Sequence, residues 1–201
     1  MSALPAALPD TPSIANLKTD QELGKYGVWL IISTEGFLFV DLFFSYFYLA
    51  NRTGRWNVEI PPKLGFALIL LAILVSSSVV LHIFGEKAVK QEKFGVARAG
   101  VAATLLLGLI FLALEGYSMY QSWSNLTPAT DSYGSIFYTI LCFHAAHVIV
   151  GSLMLIYVLF LPLGPSETTP HRPLHSATLY WHFVDAVWIL VVLFLFILPN
   201  L

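Results

Sequence analysis

The sequence predicts an all-α membrane protein, built as a bundle of five transmembrane helices. Hydrophobic residues make up 57% of the 201 positions and charged residues only 11%, whereas a soluble domain carries about 25% charged residues. The mean hydropathy is +0.76. Several apolar stretches reach the roughly 20 residues that a helix needs to cross the hydrocarbon core of a bilayer. Membrane strands need only about 9–11 residues with alternating polarity, so these lengths indicate helices.

Two regions are predicted along the chain. Residues 1–25 form an N-terminal tail, and residues 26–201 form the transmembrane domain. The tail contains prolines and polar residues but lacks a basic start followed by an apolar core, so we expect it not to be a cleaved signal peptide. The five spans of the domain cover about residues 26–50, 64–84, 98–121, 133–161 and 175–198.

The distribution of Lys and Arg predicts the orientation, because cytoplasmic loops carry an excess of these residues. With five spans, the tail shares one side with the second and fourth loops. That side holds Lys18, Lys25, Lys87, Lys90, Lys93, Arg98 and Arg172, and the other holds only Arg52, Arg55 and Lys63. We therefore expect the N-terminus in the cytoplasm and the C-terminus outside. The net charge of −2 gives no indication of a nucleic-acid partner.

Acids and histidines lie inside the predicted spans, where ionisable groups are expensive and usually functional. The acids are Glu35, Asp41, Glu115 and Asp185, and the histidines are His82, His144, His147 and His182. At about 1.5 Å of rise per residue, Glu35, His147 and Asp185 reach one level, roughly 14–21 Å from the cytoplasmic ends of their helices. We expect a polar cluster at that level, with Glu115 nearer the outer face.

Helical geometry groups the polar residues of the last two spans. Trp181, His182, Asp185 and Trp188 fall within about 120° of the circumference of the fifth helix, and His144 and His147 lie about 60° apart on the fourth. These faces should turn inward or toward a partner protein, either as polar contacts between helices or as a working site. The small residues that would allow close helix approach are Gly108, Gly116, Gly134 and Gly151.

Three chemical interpretations of these residues remain open from the pattern alone. A haem b cytochrome would need two axial histidines from two spans, such as His147 and His182. An ion carrier could use Glu35 and Asp185, although the sequence has no internal repeat of the kind that transporters show. The His144–His147 spacing alone is weak support for a metal site, which needs more ligands.

Three segments resemble subunit III of the haem-copper terminal oxidases. YWHFVDAVWIL at 180–190 resembles the terminal helix of that family. DSYGSIFYTILCFHAAHVIVGSLML at 131–155 resembles its Tyr-Gly-Ser and Phe-His-x-x-His-Val-x-x-Gly helix. WLIISTEGFLFVDLFF at 29–44 resembles its helix with one buried glutamate. All three agree in register with the predicted spans. Longer family members have seven spans, and this chain corresponds to the last five.

The resemblance implies a subunit without haem or copper, because those cofactors belong to partner subunits. Subunit I reduces dioxygen to water and pumps protons, and subunit III packs against it. The implied roles are stabilising subunit I, supporting proton uptake, and holding phospholipid along an oxygen path. Subunit II, further oxidase subunits and a larger respiratory supercomplex are the other implied partners. The implied location is the bacterial inner membrane.

The resemblance also implies roles for individual residues. Glu35 matches the family's buried, carbodiimide-reactive carboxylate. His182 and Asp185 are expected to form a hydrogen-bonded pair on the inward face of the last helix. The segment ALEGYSMY departs from the family pattern, since Glu115 stands at the position of a glutamine and Ser118 at that of a glutamate. Cytochrome c is the favoured electron donor, with a quinol oxidase or a nitric oxide reductase as alternatives.

Overall fold

Five long helices account for nearly all of the chain that the computed structural model describes, residues 14–52, 64–123, 132–161 and 172–198. Helix α1 is Ile14–Arg52, α3 is Phe94–Ser122 and α4 is Ser132–Phe160. Helix α2 joins Leu64–Val80, a π-helical turn Leu81–Glu86, and Lys87–Lys90; α5 joins Arg172–Val191 to a π-helical turn Val192–Ile197. All five are long and apolar enough to cross a membrane. The predicted all-α, five-span fold is confirmed, whereas the side that each terminus faces stays a prediction.

Helix α1 is longer than its predicted span, because it begins at Ile14 inside the predicted tail. Residues 14–23 contain neither Pro nor Gly, and a helix that is already nucleated extends at little cost through such residues. Residues 1–13 of the tail lie outside the described part of the chain. The apolar segment of α1 that is long enough to cross a membrane is Tyr26–Arg52.

The two π-helical turns were not predicted. In α2 the backbone N–H of Lys87 donates to the carbonyl of His82, and in α5 that of Leu198 donates to the carbonyl of Leu193. Each bond spans five residues rather than four, so the side chains after the turn are rotated relative to a regular α-helix. Helix α2 ends in a tight turn in which Glu92 adopts a left-handed φ of 59°.

Helix α5 lies at the centre of the bundle and α1 at its edge. Helix α5 packs against α4, α2 and α1, and α3 packs between α2 and α4. Helix α1 packs mainly against α4 and α5. In the apolar window of each span, 56% of α5 is buried against 11% of α1. Most of the surface of α1 is therefore available to lipid or to another protein.

The Trp181 side chain is wedged between two helices at points where glycine leaves room. A Cβ added at Gly108 would lie 2.6 Å from Trp181 Cη2, and one at Gly151 would lie 2.9 Å from Cε3. The indole N–H donates a hydrogen bond of 2.9 Å to Ser77 Oγ on α2. One side chain of α5 thus ties together α2, α3 and α4. Gly116, which was also expected at a close approach, has nothing within 4 Å.

A close backbone approach that was not predicted lies between α3 and the π-helical turn of α2. A Cβ at Gly100 would lie 2.6 Å from the carbonyl carbon of Phe84 and 2.8 Å from its oxygen. These atoms belong to the backbone, so they cannot move aside as a flexible side chain would. Any side chain at position 100 must therefore push α2 and α3 apart.

Gly100→Ala should destabilise the fold by about 1–3 kcal/mol, the usual effect of overpacking. Gly116→Ala is the matched control, because its added methyl group meets open space and Ala favours the helix by about 1 kcal/mol. Thermal unfolding in detergent measures both effects. Equal melting temperatures for the two variants would contradict the close approach of α2 and α3.

Candidate functional site

A hydrogen bond between His147 and Glu35 joins α4 to α1. His147 Nε2 lies 3.0 Å from Glu35 Oε2, and His147 Nδ1 lies 2.6 Å from the carbonyl oxygen of Phe143. A carbonyl oxygen only accepts, so Nδ1 carries a hydrogen and donates it. Nε2 and Oε2 then share one further proton, which makes the pair neutral overall whether it is written as imidazole and acid or as imidazolium and carboxylate. A neutral pair costs far less in hydrocarbon than a lone carboxylate.

Aromatic rings enclose the histidine of this pair but not the whole carboxylate. The rings of Phe39 and Phe183 lie with their centroids 4.9 and 6.3 Å from that of His147. The His147 side chain is 10% exposed, whereas that of Glu35 is 35% exposed. The Glu35 side of the pair is therefore accessible from the surface of the bundle, whereas the side that faces α5 is covered.

A second histidine–carboxylate pair joins α4 to α3. His144 Nδ1 lies 3.6 Å from Glu115 Oε1, and the side chains are 0% and 2% exposed. His144 Nε2 donates to the carbonyl of Val184 on α5 at 3.4 Å. The distance of 3.6 Å is too long for a hydrogen bond, and neither Glu115 oxygen has a hydrogen-bond partner among the described residues. Glu115 is thus enclosed in the core beside His144, and its depth relative to the outer face stays a prediction.

Asp185 does not join the predicted cluster with Glu35 and His147. It is 8% exposed, faces Ser78 on α2, and has an Oδ1 atom without a partner in the described spans. The three residues share a level, but angular position separates them. At 100° per residue, Asp185 lies about 200° around α5 from Phe183, which is the residue that contacts His147.

His182 is exposed rather than part of a buried group. Its ring centroid lies 6.5 Å from that of His82 on α2, and no hydrogen bond connects it to Asp185, although both residues are described. The predicted His182–Asp185 pair is therefore wrong. The two residues lie near each other around α5, but His182 is one turn closer to the end of the bundle where α5 begins, beside the π-helical turn of α2.

Trp181 and Trp188, the two tryptophans that the sequence placed on the polar face of the last helix, are fully buried. Trp181 forms the wedge described above. Trp188 stacks on His144 with ring centroids 4.6 Å apart and meets Phe111 edge to face at 4.9 Å. The rings around His144 thus come from both α3 and α5, and they exclude water from the His144–Glu115 pair.

Glu86 was missed by the sequence analysis. One of its carboxylate oxygens lies 3.0 Å from His175 Nδ1 and the other 3.3 Å from His82 Nδ1. The predicted second span ended at residue 84, so Glu86 was assigned to a loop together with the adjacent lysines. The structure instead continues α2 to Lys90. The available signal was its four-residue spacing from His82, which places the two on one helical face.

The geometry bears on the residues named in two of the alternative interpretations. Both ring nitrogens of His147 are occupied by Phe143 and Glu35, so neither is available as an axial ligand to haem iron. Across the described part of the chain, no three His, Cys, Asp or Glu side chains are grouped so that they could hold a metal ion.

Comparison with known proteins identifies the family. A sequence profile described as "Cytochrome c oxidase subunit III" matches residues 17–199. "Cytochrome c oxidase subunit 3" of Synechocystis sp. is 33% identical over 181 residues, covering 88% of this chain and 76% of that protein. The Corynebacterium diphtheriae protein of the same name is 35% identical over 174 residues, covering 81% and 82%. That of Cyprinus carpio is 32% identical over 174 residues, covering 82% and 66%.

The chain belongs to the cytochrome c oxidase subunit III family, and the predicted resemblance is confirmed. It is therefore a multi-pass membrane subunit of an oxidoreductase complex. The match covers residues 17–199, so it includes all five membrane spans and both histidine–carboxylate pairs.

Exposure predicts which carboxylates a hydrophobic carbodiimide can reach in the isolated chain. Glu35 is 35% exposed and Asp41 is exposed, whereas Glu115 and Asp185 are 2% and 8% exposed. Among these four carboxylates inside the spans, peptide mass spectrometry after labelling should find adducts at Glu35 and Asp41 only. Glu35→Gln should remove one of the two adducts and leave the other. A main adduct at Glu115 would show that the bundle is packed differently.

The His144–Glu115 pair predicts a coupled effect on stability. His144→Leu and Glu115→Leu should each lower the free energy of unfolding by about 1–3 kcal/mol, because each removes the electrostatic contact at 3.6 Å and leaves the other polar group buried without it. The double variant should lose less than the sum, with a coupling of about 0.5–3 kcal/mol. Unfolding of all four proteins in the same detergent gives the cycle, and strictly additive losses would be evidence against contact between these residues.

Proposed function

We propose that this chain is the non-redox subunit III of a haem-copper oxidase that transfers electrons from cytochrome c to dioxygen. The catalytic subunit I would hold the haem and copper and reduce dioxygen to water. The chain would pack against subunit I, stabilise it during turnover and support proton uptake. The observation that carries this proposal is the Glu35–His147 pair, which lies on two helices whose sequences match the family motifs.

The pair is suited to supporting proton uptake because it holds one exchangeable proton between two groups. Glu35 is open to the surface of the bundle, so polar groups of a neighbouring subunit packed on this face would reach its carboxyl group without unfolding the helices. The Phe143 carbonyl fixes the ring of His147 by accepting from Nδ1, which leaves Nε2 directed at Glu35. A fixed ring keeps donor and acceptor at hydrogen-bond distance while the proton moves between them.

Bound phospholipid is part of the proposal. A groove of about 560 Å³ runs between α3 and α4, and its lining is mainly apolar with a few hydroxyl groups. It lies near the ends of both helices, where Tyr120 and Trp123 contribute aromatic rings of the kind enriched at membrane interfaces. A lipid acyl chain fits this chemistry, and it would fill the space between the two helices.

The proposed setting is the inner membrane of a bacterium, with the N-terminus in the cytoplasm. Subunit II, other oxidase subunits and a respiratory supercomplex are the proposed wider partners. The names of the relatives favour cytochrome c as donor. A quinol oxidase or a nitric oxide reductase remains the second candidate, since the donor would bind to other subunits.

Purification of the tagged chain from native membranes in mild detergent tests the assignment. The eluate should show haem absorption bands and cytochrome c-dependent oxygen uptake, and the separated chain should be colourless. A b-type haem band in the separated chain would overturn the assignment. Quinol-dependent uptake without cytochrome c activity would select the second candidate.

Glu35→Gln tests the role of the pair within the complex. The variant should assemble but lose activity during turnover faster, roughly fivefold, which corresponds to about 1 kcal/mol for a weakened hydrogen bond. Leu153→Ala is the control, because Leu153 is 58% exposed on α4 and makes no polar contact through its side chain. Oxygen uptake followed over many turnovers gives the inactivation rate. Identical rates in wild type and Glu35→Gln would remove the proposed role.

A further inference from the structure

Asp41 lies on an exposed stripe along α1. The stripe runs the length of the membrane segment, and its members recur every three or four residues, which places them on one helical face. They are Leu30, Thr34, Phe37, Asp41, Phe44 and Tyr48, all of them exposed. Three apolar members are among the most exposed large hydrophobic residues of the described part of the chain, with Leu30 at 68%, Phe37 at 69% and Phe44 at 70%.

The depth of Asp41 rules out contact with water at either end of the helix. The residue is fifteen positions from Tyr26 and eleven from Arg52, the ends of the span, or about 16–22 Å along the axis from each. An aspartate side chain is too short to reach the membrane surface over that distance. A charged Asp near the centre of a transmembrane helix costs about 2.5–3.5 kcal/mol.

The described residues of the chain offer no partner for Asp41. Its side chain makes no ion pair or hydrogen bond with any residue of the described ranges, and α1 has no Lys or Arg from Tyr26 to Asn51. Glu35 has its histidine on α4, but it lies about 120° away around α1 and faces the bundle. Asp41 faces outward, so any group that balances it belongs to another molecule.

We propose that the stripe docks a transmembrane helix of another subunit, and that this helix carries a Lys, Arg or protonated His that pairs with Asp41. The inference rests on the proposed function only in assuming that other subunits surround the chain. A single polar residue in an otherwise apolar helix seam fixes register, since any other alignment leaves the charge unpaired.

The neighbours of Asp41 on the stripe favour a cation. Phe37 and Phe44 lie one turn before and one turn after it, so a guanidinium or ammonium group that reached the carboxylate would also contact aromatic rings. Such contacts are attractive, because the face of an aromatic ring is electron-rich. A second copy of this chain would instead bring acid against acid in a parallel arrangement, and α1 has no Lys or Arg between Tyr26 and Asn51 to relieve the repulsion.

Photo-cross-linking in native membranes identifies the occupant. A photoreactive residue is placed at Phe37 or Phe44 in the full chain, in the cells that contain the whole complex. Both positions should cross-link to one transmembrane segment that carries a basic residue at the depth of Asp41. Adducts with lipid alone, with a segment that lacks a basic residue, or with a second copy of this chain would overturn the inference.

Matched variants distinguish the effect of removing the Asp41 carboxylate from the effect of moving it to another position around α1. Asp41→Val removes the carboxylate, and the double variant Val40→Asp/Asp41→Val keeps it but rotates it by about 100° onto a neighbouring exposed position. Both should reduce recovery of the cross-linked partner at least tenfold. Asp41→Lys should fail likewise and be rescued by replacing the partner's basic residue with Asp. Full recovery with the double variant, or no rescue when both charges are reversed, would contradict the proposed pairing.

Helix content and detergent elution profile show that each variant folds, which is expected because Asp41 is on the surface.

The outcomes also distinguish this inference from the proposed function. If the oxidase co-purifies while Asp41→Val assembles normally, the inference fails and the function stands. If the stripe pairs with a basic helix of a complex that is not an oxidase, the inference stands and the function fails.

Discussion

The strictest constraint on this structure is that a carboxylate inside a membrane needs a partner within reach. The hydrogen bond between Glu35 and His147 meets that constraint. Helix α1 is the least buried helix of the bundle. Among its described residues, Glu35 makes a polar side-chain contact with another helix through this hydrogen bond to His147 on α4. The bond fixes the rotation of α1, and that rotation sends Asp41 and its aromatic neighbours outward. The position of Glu35 in the bundle therefore determines what Asp41, on the same helix, can contact.

Helix α4 distributes its two histidines between different neighbours. His147 meets the carboxylate of α1, while His144, one turn earlier, meets that of α3 and the backbone of α5. Aromatic rings of α5 fill the core beside α4. Trp181 occupies the space left by Gly108 and Gly151, and Trp188 packs against His144. Tight packing and polar pairing act together, because the rings that exclude water also make an unpaired charge costly.

The five spans could be predicted because lipid imposes a length and a composition that are visible in the sequence. The level shared by Glu35 and His147 followed from helical rise, and the structure brings the two together. Rise alone could not decide on which side of α5 Asp185 lies, so it was wrongly grouped with them. The π-helical turns, the approach at Gly100 and the burial of Glu115 depend on how helices pack, for which the hydropathy pattern carries no signal.

The central claim is that His147 pairs with Glu35 and not with Asp185. Solid-state NMR of the chain in bilayers, with nitrogen-15 in the histidines and carbon-13 in the carboxyl groups, measures this pairing directly. We expect dipolar coupling between His147 Nε2 and the Glu35 carboxyl carbon, and none between His147 and Asp185. Coupling to the carboxyl carbon of Asp185, or to neither, would contradict the account of how α1, α4 and α5 meet.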